Sequence, residues 1–337
     1  FYLKYNYNIT VLDTGYYDNA YFIKKNKHAL IKKDIRKFDL NLIKFYDVVI
    51  ILAAISNDTQ GSLNTTKIYS ETLNFTIKVA QKCKSFGKKF IFPSSCSVYG
   101  KSSSAVSEDD NIFPQTPYSH SKVAIENELK KISDNNFNPI ILRISTVFGY
   151  STNMRFDLVI NMLCGLAVTQ NKILLNSDGS AWRPFVYIDD LCKVFKECIE
   201  LQKQKENFTI FNVGNENNNF QILNIAKLIS KMNNNCEISF LNNISSDNSN
   251  LIDKSFDGVF VGSRDSRNYR VNFDKIDRIF KKRLCTTSVI EGINKTIKNL
   301  KKNKITYELF NNRIFYRVKQ IEYLFNSGKI NNDLLWK

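Results

Sequence analysis

"KKFIFPSSCSVYGKSSSAVSEDDNIFPQTPYSHSKVAIENELKKI", Lys88 to Ile132, moves from a short apolar run to a segment with helical spacing. Phe90, Ile91 and Phe92 precede a Pro-Ser-Ser turn, the mark of a short buried strand. Val123, Ile125, Leu129 and Ile132 recur at the period of a helix, and Pro117 suits its first turn. The stretch therefore predicts a strand, a loop and a helix. The strand ends at Ser95, and the helix carries Tyr118 and Lys122 one turn apart on one face.

The same rhythm extends in both directions. "ITVLD" (Ile9–Asp13), "DVVIILAA" (Asp47–Ala54) and "NPIILRISTVFG" (Asn138–Gly149) read as further strands. "ETLNFTIKVAQKCKSFG" places Leu73, Ile77 and Ala80 at helical spacing and stops at Gly87. Strands alternating with helices predict an α/β fold, a Rossmann-type doubly wound parallel sheet covered on both faces. After Gly149 the rhythm loosens into a smaller α/β region. The expected division is a dinucleotide-binding domain over 1–149, with a return segment near 184–213. A substrate region is expected over 150–183 and 214–337.

Composition narrows the function. The chain has 337 residues, 43% of them apolar, enough for one large core or two smaller ones. No apolar run reaches the roughly 18 residues of a membrane span. The seven cysteines are odd in number and irregularly spaced, which fits reduced thiols in a cytoplasmic protein. Only two histidines, His28 and His120, occur, far apart in sequence, and no metal is expected. The net charge of +16 suits an anionic substrate. Nucleic acid is not the expected partner, and such binding would show a steep salt dependence.

Ser95, Tyr118 and Lys122 form a set with a chemical purpose. A lysine ammonium beside a phenol favours the phenolate, and a strand-end serine can hold a substrate oxygen next to it. That equipment removes a proton from an alcohol as its carbon loses hydride. Asp13, at the end of a strand, has the position of the acid that holds the adenosine ribose hydroxyls of a dinucleotide. A plain carboxylate there favours NAD. Only twelve residues precede Asp13, so the first strand and a GxxGxxG loop do not fit ahead of it. Phe1–Lys337 is therefore expected to bind NAD poorly, and a chain with that strand and loop restored to bind it.

Together these segments resemble the extended short-chain dehydrogenases/reductases of the NAD-dependent nucleotide-sugar epimerase/dehydratase family. The resemblance runs from "ITVLDTG" to about Lys275. It implies NAD as cofactor, with "KKDIRKFDL" placing Asp34 and Ile35 at the adenine and "DVVIILAA" placing Ala53 and Ala54 beside the cofactor. "PSSCSVYG" and "PYSHSK" look like its catalytic segments. They imply Ser95, Tyr118 and Lys122 as the triad, with Tyr118 and Lys122 also touching NAD. "LRISTVFG", "WRPFVYIDDL", "FNVG" and "SRNYRVNFDK" follow in the family's order. They imply a nucleotide-diphosphate sugar held by Ser95, Thr146, Arg155, Arg183, Arg264 and Arg267, with Arg183 at the diphosphate.

Departures from the family pattern refine the expectation. Ile51 stands where the family often has histidine. Dehydratases of the group carry an Asp-Glu pair after the serine, and here Cys96 and Ser97 stand there, so a 4,6-dehydratase is disfavoured. Cys96 reads better as a small residue at a tight strand end than as a substrate contact. A decarboxylase lacks its glutamate in the same segment. The expectation is an epimerase acting through a transient keto-sugar. The alternatives are a ketoreductase or dehydrogenase with the same triad, and a non-catalytic dinucleotide-binding regulator. A homodimer is expected through helices near Thr72–Lys84 and Lys122–Ile132.

Overall fold

A computed structural model describes residues 6–18, 20, 29–54, 65–202, 208–241 and 267–337. Its centre is a four-stranded parallel sheet of β3 (Val48–Ile50), β4 (Lys89–Ser95), β6 (Ile140–Ile144) and β10 (Thr209–Val213), in the order β10-β6-β4-β3. Alternation along the strands divides the apolar residues between two faces. Phe90, Phe92 and Ile141 pack with Val79, Ala80 and Cys83 of α1 (Thr65–Ser85) and with Ile125 and Leu129 of α2 (Pro117–Ile132). Ile91, Leu142 and Phe211 face the other way, onto Val194, Phe195 and Cys198 of α4 (Ile188–Glu200). Both faces are buried, which explains why these strands read as continuous apolar runs.

β1 (Thr10–Asp13) and β2 (Ala29–Lys32) pair in parallel as a separate two-stranded sheet. The expectation was one continuous sheet. Among the described residues no strand joins β1 to β3, so β1 and β2 stand apart from the central sheet. A second difference lies in "LRISTVFG", expected as one strand. The chain breaks at Ser145, whose N–H bonds to the Val213 carbonyl (3.0 Å). β7 (Thr146–Phe148) then pairs in parallel with β9 (Trp182–Tyr187), in a sheet completed by β11 (Asn219–Gln221).

The later part of the chain builds its own core. α3 (Val159–Gln170) and α5 (Ile222–Met232) pack with the helix Val289–Lys302 and with Phe156, Phe310 and Phe315. Pairs of β8 (Lys172–Leu175) with β12 (Glu237–Phe240), and of β5 (Lys101–Val106) with β13 (Asn268–Val271), complete the framework. β5 escapes sequence reading because "KSSSAV" is polar and exposed along most of its length. The helix Arg317–Asn326 and the tail after it form a small separate cluster. In it Ile321, Leu324, Ile330 and Leu334 pack against Tyr16 and Tyr17.

Candidate active site

α2 is set in place by its first turn. Thr116 accepts a hydrogen bond from the Ser119 N–H (3.2 Å), the Ser119 hydroxyl bonds back to Thr116, and Pro117 occupies the start. This reciprocal cap fixes where the helix begins, and so fixes Tyr118 and Lys122 on one face. β4 is the neighbouring element. It ends at Ser95, and a 3-10 turn over Cys96–Tyr99 follows and closes at Gly100. Gly100 has φ +64, and a Cβ there would meet the Phe113 carbonyl oxygen at 1.9 Å. Only glycine lets the turn approach the loop so closely.

The strand end and the helix meet through Lys122. Its side chain is buried, and Nζ donates to the Pro93 carbonyl on β4 (2.8 Å). The ammonium also lies 4.6 Å from the Phe92 ring centroid and 5.5 Å from that of Tyr118. Burial lowers the Lys122 pKa to about 8, against the pull of Glu126. Half-buried Ser95 accepts the Ser97 N–H (3.2 Å) and keeps its own proton to donate. The structure thus brings Lys122 beneath Tyr118 and ties it to the strand that presents Ser95.

Behind this group lies a buried polar network. Glu126, one turn beyond Lys122, accepts a hydrogen bond from the Ser94 hydroxyl and pairs with Arg143 on β6 (2.8 Å). Arg143 also donates to the Tyr99 hydroxyl (3.0 Å), which donates to Asn212 (2.7 Å). Asn212 gives its N–H to the Glu108 carboxylate (2.6 Å), and burial raises the Glu108 pKa. Sequence reasoning did not find this network. Its signal was present in Arg143, a charged residue inside the apolar run "IILRI", and in Glu126 between the core residues Ile125 and Leu129. Buried charges of this kind are usually paired.

Cys96 and Ser97 turn inward. Cys96 is fully buried, burial pushes its thiol up to about 12, and Sγ donates to the Arg143 carbonyl (3.1 Å). Ser97 is also buried. None of the seven cysteines is in a disulfide, and six are buried while Cys192 is half-buried.

The remaining candidates are more dispersed. Asp13 is exposed and accepts the Gly15 N–H (2.6 Å). Asp34 is bound by Arg36 on both oxygens (2.9 and 2.7 Å). Burial opposes the charge on Asp34, yet the Arg36 bonds prevail and hold the carboxyl below its ordinary range. Ile35 packs at the margin of the core shared by α1 and α2. Ala53 and Ala54 follow the carboxyl end of β3, and buried Ile51 bonds to the Ile91 carbonyl (3.2 Å). Thr146 opens β7 and is half-buried. Arg155 forms a two-point ion pair with Asp157 (3.0 Å each) and lies close enough to Tyr118 for their charges to interact. Arg183 is buried, donating to the carbonyls of Trp182 (2.7 Å) and Arg267. Arg264 lies outside the described residues. Among the described residues, no cluster suited to a metal ion occurs, and no helix is long and apolar enough to cross a membrane.

The residues fit a nicotinamide cofactor best at the reacting end. There a buried ammonium with donors to spare sits under a tyrosine at the carboxyl edge of a parallel sheet. At the adenine end Asp34 is already engaged by Arg36.

Comparison with known proteins agrees with this geometry. The family model described as "NAD dependent epimerase/dehydratase family" matches residues 1–214. The bifunctional polymyxin resistance protein ArnA of Wigglesworthia glossinidia brevipalpis is 27% identical over 251 residues, 67% of this chain and 38% of that protein. The uncharacterized UDP-glucose epimerase YtcB of Bacillus subtilis is 29% identical over 176 residues, 51% of this chain and 55% of that protein. The matches thus span well under two thirds of either relative. Among solved structures, the UDP-glucuronic acid 4-epimerase of Bacillus cereus, in complex with UDP-glucuronic acid and NAD, superposes with a TM-score of 0.67. It is 25% identical and covers 82% of each chain.

Proposed function

Because this chain belongs to the NAD dependent epimerase/dehydratase family, we propose that it is an NAD-dependent nucleotide-sugar epimerase working through a transient keto-sugar. The observation that carries the reading is the buried Lys122 ammonium, 5.5 Å from the Tyr118 ring and hydrogen-bonded to the strand that ends in Ser95. A cation in that position favours the phenolate, so the Tyr118 oxygen takes the proton of a sugar hydroxyl. Ser95 donates its hydroxyl proton to the same sugar oxygen and supports the carbonyl that forms. Lys122 has donors left for the nicotinamide ribose. NAD, held in part by Lys122 at the nicotinamide ribose, would supply reversible hydride acceptance when bound. Tyr118 gives the proton back, and return of hydride to the other face of the sugar inverts the carbon.

The first positions after Ser95 support a simple ketone as the intermediate. Cys96 and Ser97 are buried and carry no carboxyl group, so water elimination has no acid/base pair there. The substrate would be a nucleotide-diphosphate sugar, for which Thr146, Arg155, Arg183 and Arg267 remain the proposed contacts. Asp13, Asp34, Ile35, Ala53 and Ala54 remain the proposed cofactor contacts. A homodimer through α1 and α2 belongs to the same reading. A one-way ketoreductase would use the same triad but would exchange NADH on every turnover.

The test is Tyr118→Phe. In a chain extended by an N-terminal strand and GxxGxxG loop, turnover of a nucleotide sugar should fall about a hundredfold or more, the loss expected for a positioned acid/base. Unchanged turnover would remove Tyr118 from the chemistry.

A further inference from the structure

Residues 329–337 fold into a small hairpin that closes on itself. Ile330 and Trp336 form an antiparallel bridge, and the Lys337 N–H bonds to the Lys329 carbonyl (3.2 Å). Asn331 Oδ1 accepts the N–H groups of Asp333 and Leu335 (2.9 Å each). The hairpin lies outside the residues matched by the family model, and the surface it docks on lies inside them. We propose that this hairpin is an autoinhibitory strap that closes the adenosine end of the cofactor site. The proposal rests on the reading of Asp13 and Asp34 as cofactor contacts.

Three hydrogen bonds put the hairpin there. Trp336 Nε1 donates to the carbonyl of Thr14, the residue after Asp13 (2.7 Å). The Asp333 carbonyl accepts from Arg36 Nη1 (2.8 Å), while Nε and Nη2 of the same guanidinium hold Asp34 (2.9 and 2.7 Å). The Tyr16 hydroxyl donates to the Leu334 carbonyl. The hairpin thus touches the neighbours of both acids at once, and its hold on Arg36 keeps that cation closed over Asp34.

Tyr16 is the part that fills the site. It lies close enough to Asp13, Asp34 and Arg36 for their charges to interact, and its ring centroid is 5.7 Å from that of Trp336. An aromatic ring set beside the ribose acid and the adenine acid takes room that a base would need. Ile321, Leu324, Ile330 and Leu334 pack against Tyr16 and Tyr17 and keep the ring there.

The hairpin is also suited to lift away. Leu334 has φ +55, a left-handed conformation that costs a leucine energy and persists where surrounding contacts hold it. Here those contacts are its buried side chain and its carbonyl's bond to Tyr16. The hairpin keeps its internal hydrogen bonds when it leaves, and leaving frees Leu334 from the contacts that hold it in this conformation.

Calorimetric titration of NAD into the chain extended by an N-terminal strand and GxxGxxG loop tests the proposal. Ending that chain at Gly328 should tighten NAD binding by about tenfold or more, the gain from a site no longer mostly closed. Trp336→Ala leaves the buried Ile330 and Leu334 in place and should tighten it by about threefold to tenfold, the value of one lost hydrogen bond. Coupling is reciprocal, so NAD should loosen the strap by the factor with which the strap weakens NAD. Trypsin cleavage after the exposed Lys329 follows the open population and should speed up about tenfold at saturating NAD. A hairpin that only stabilised the cofactor half would be cut more slowly with NAD bound. Affinity unchanged or weaker in both folded variants overturns the proposal, and so does cleavage that bound NAD slows or leaves unchanged. If no extended chain binds NAD, the cofactor reading falls and takes the proposal with it. The readouts are binding and cleavage without turnover, so failure here with NAD still bound leaves the role of Tyr118 standing.

Discussion

Replacing Glu126 with glutamine tests the network that ties the strand bearing Ser95 to the helix bearing Tyr118. The Glu126 carboxylate meets Arg143 at 2.8 Å, with side-chain exposures of 4% and 5%. It also receives the Ser94 hydroxyl. Glutamine keeps the shape and can still accept from Ser94, but it leaves the Arg143 guanidinium buried without its counter-charge. Breaking a buried pair in this way costs about 3–5 kcal/mol, against a total stability of about 5–15 kcal/mol for a typical domain. Urea denaturation of the two proteins should therefore show a large drop in midpoint. Arg143 still holds the Tyr99 hydroxyl and the Glu108 carbonyl, which places the expected loss nearer the lower figure. Ser94→Ala removes one hydrogen bond and should cost about 1 kcal/mol. A loss below about 1 kcal/mol for Glu126→Gln, the value of an exposed pair, would refute the claim that this pair organises the site.

Lys122 gives a pH prediction. Its folded pKa, about 8, lies below the 10.5 of an ordinary lysine. The folded state therefore carries the cost of a buried ammonium below pH 8, and stability should rise as pH climbs from 8 to 10.5. The rise should approach about 3 kcal/mol, and Lys122→Met should flatten it in urea melts across that window. Gly100→Ala forces a Cβ onto the Phe113 carbonyl at φ +64 and should cost about 2 kcal/mol or more, read as a lower melting temperature. Cys96→Ala should leave the reaction rate nearly unchanged in a steady-state assay, since the thiol is buried and bonded to Arg143 rather than open to substrate.

The sheet and its helices were legible because burial on both faces leaves a plain mark. "KFIFPSS" and "IILRI" read as strands, and the apolar spacing of α1 and α2 reads as helix. The relation of Tyr118 to Lys122 followed from Pro117 and one helical turn. Contacts between distant segments were not legible. Nothing local announces that Glu126 will meet Arg143, although each is a charge in an apolar setting. Asp34 looked open in "KKDIRKFDL", but Arg36, two residues on, closes around it. Arg183 was placed at a diphosphate, and its position against the Trp182 and Arg267 carbonyls depends on segments 84 residues apart. The tail from Arg313 to Trp336 carries no motif. Its meaning arises only where it meets Tyr16.

The central claim is tested most directly by following hydride and mass together. A panel of nucleotide sugars, incubated with NAD and the chain extended by an N-terminal strand and GxxGxxG loop, should yield a stereoisomer of unchanged mass by NMR and mass spectrometry. Absorbance at the NADH wavelength should show no net gain or loss. Stoichiometric NADH release or consumption would contradict the epimerase account and favour a dehydrogenase or reductase. A product lighter by one water would contradict the argument from Cys96 and Ser97.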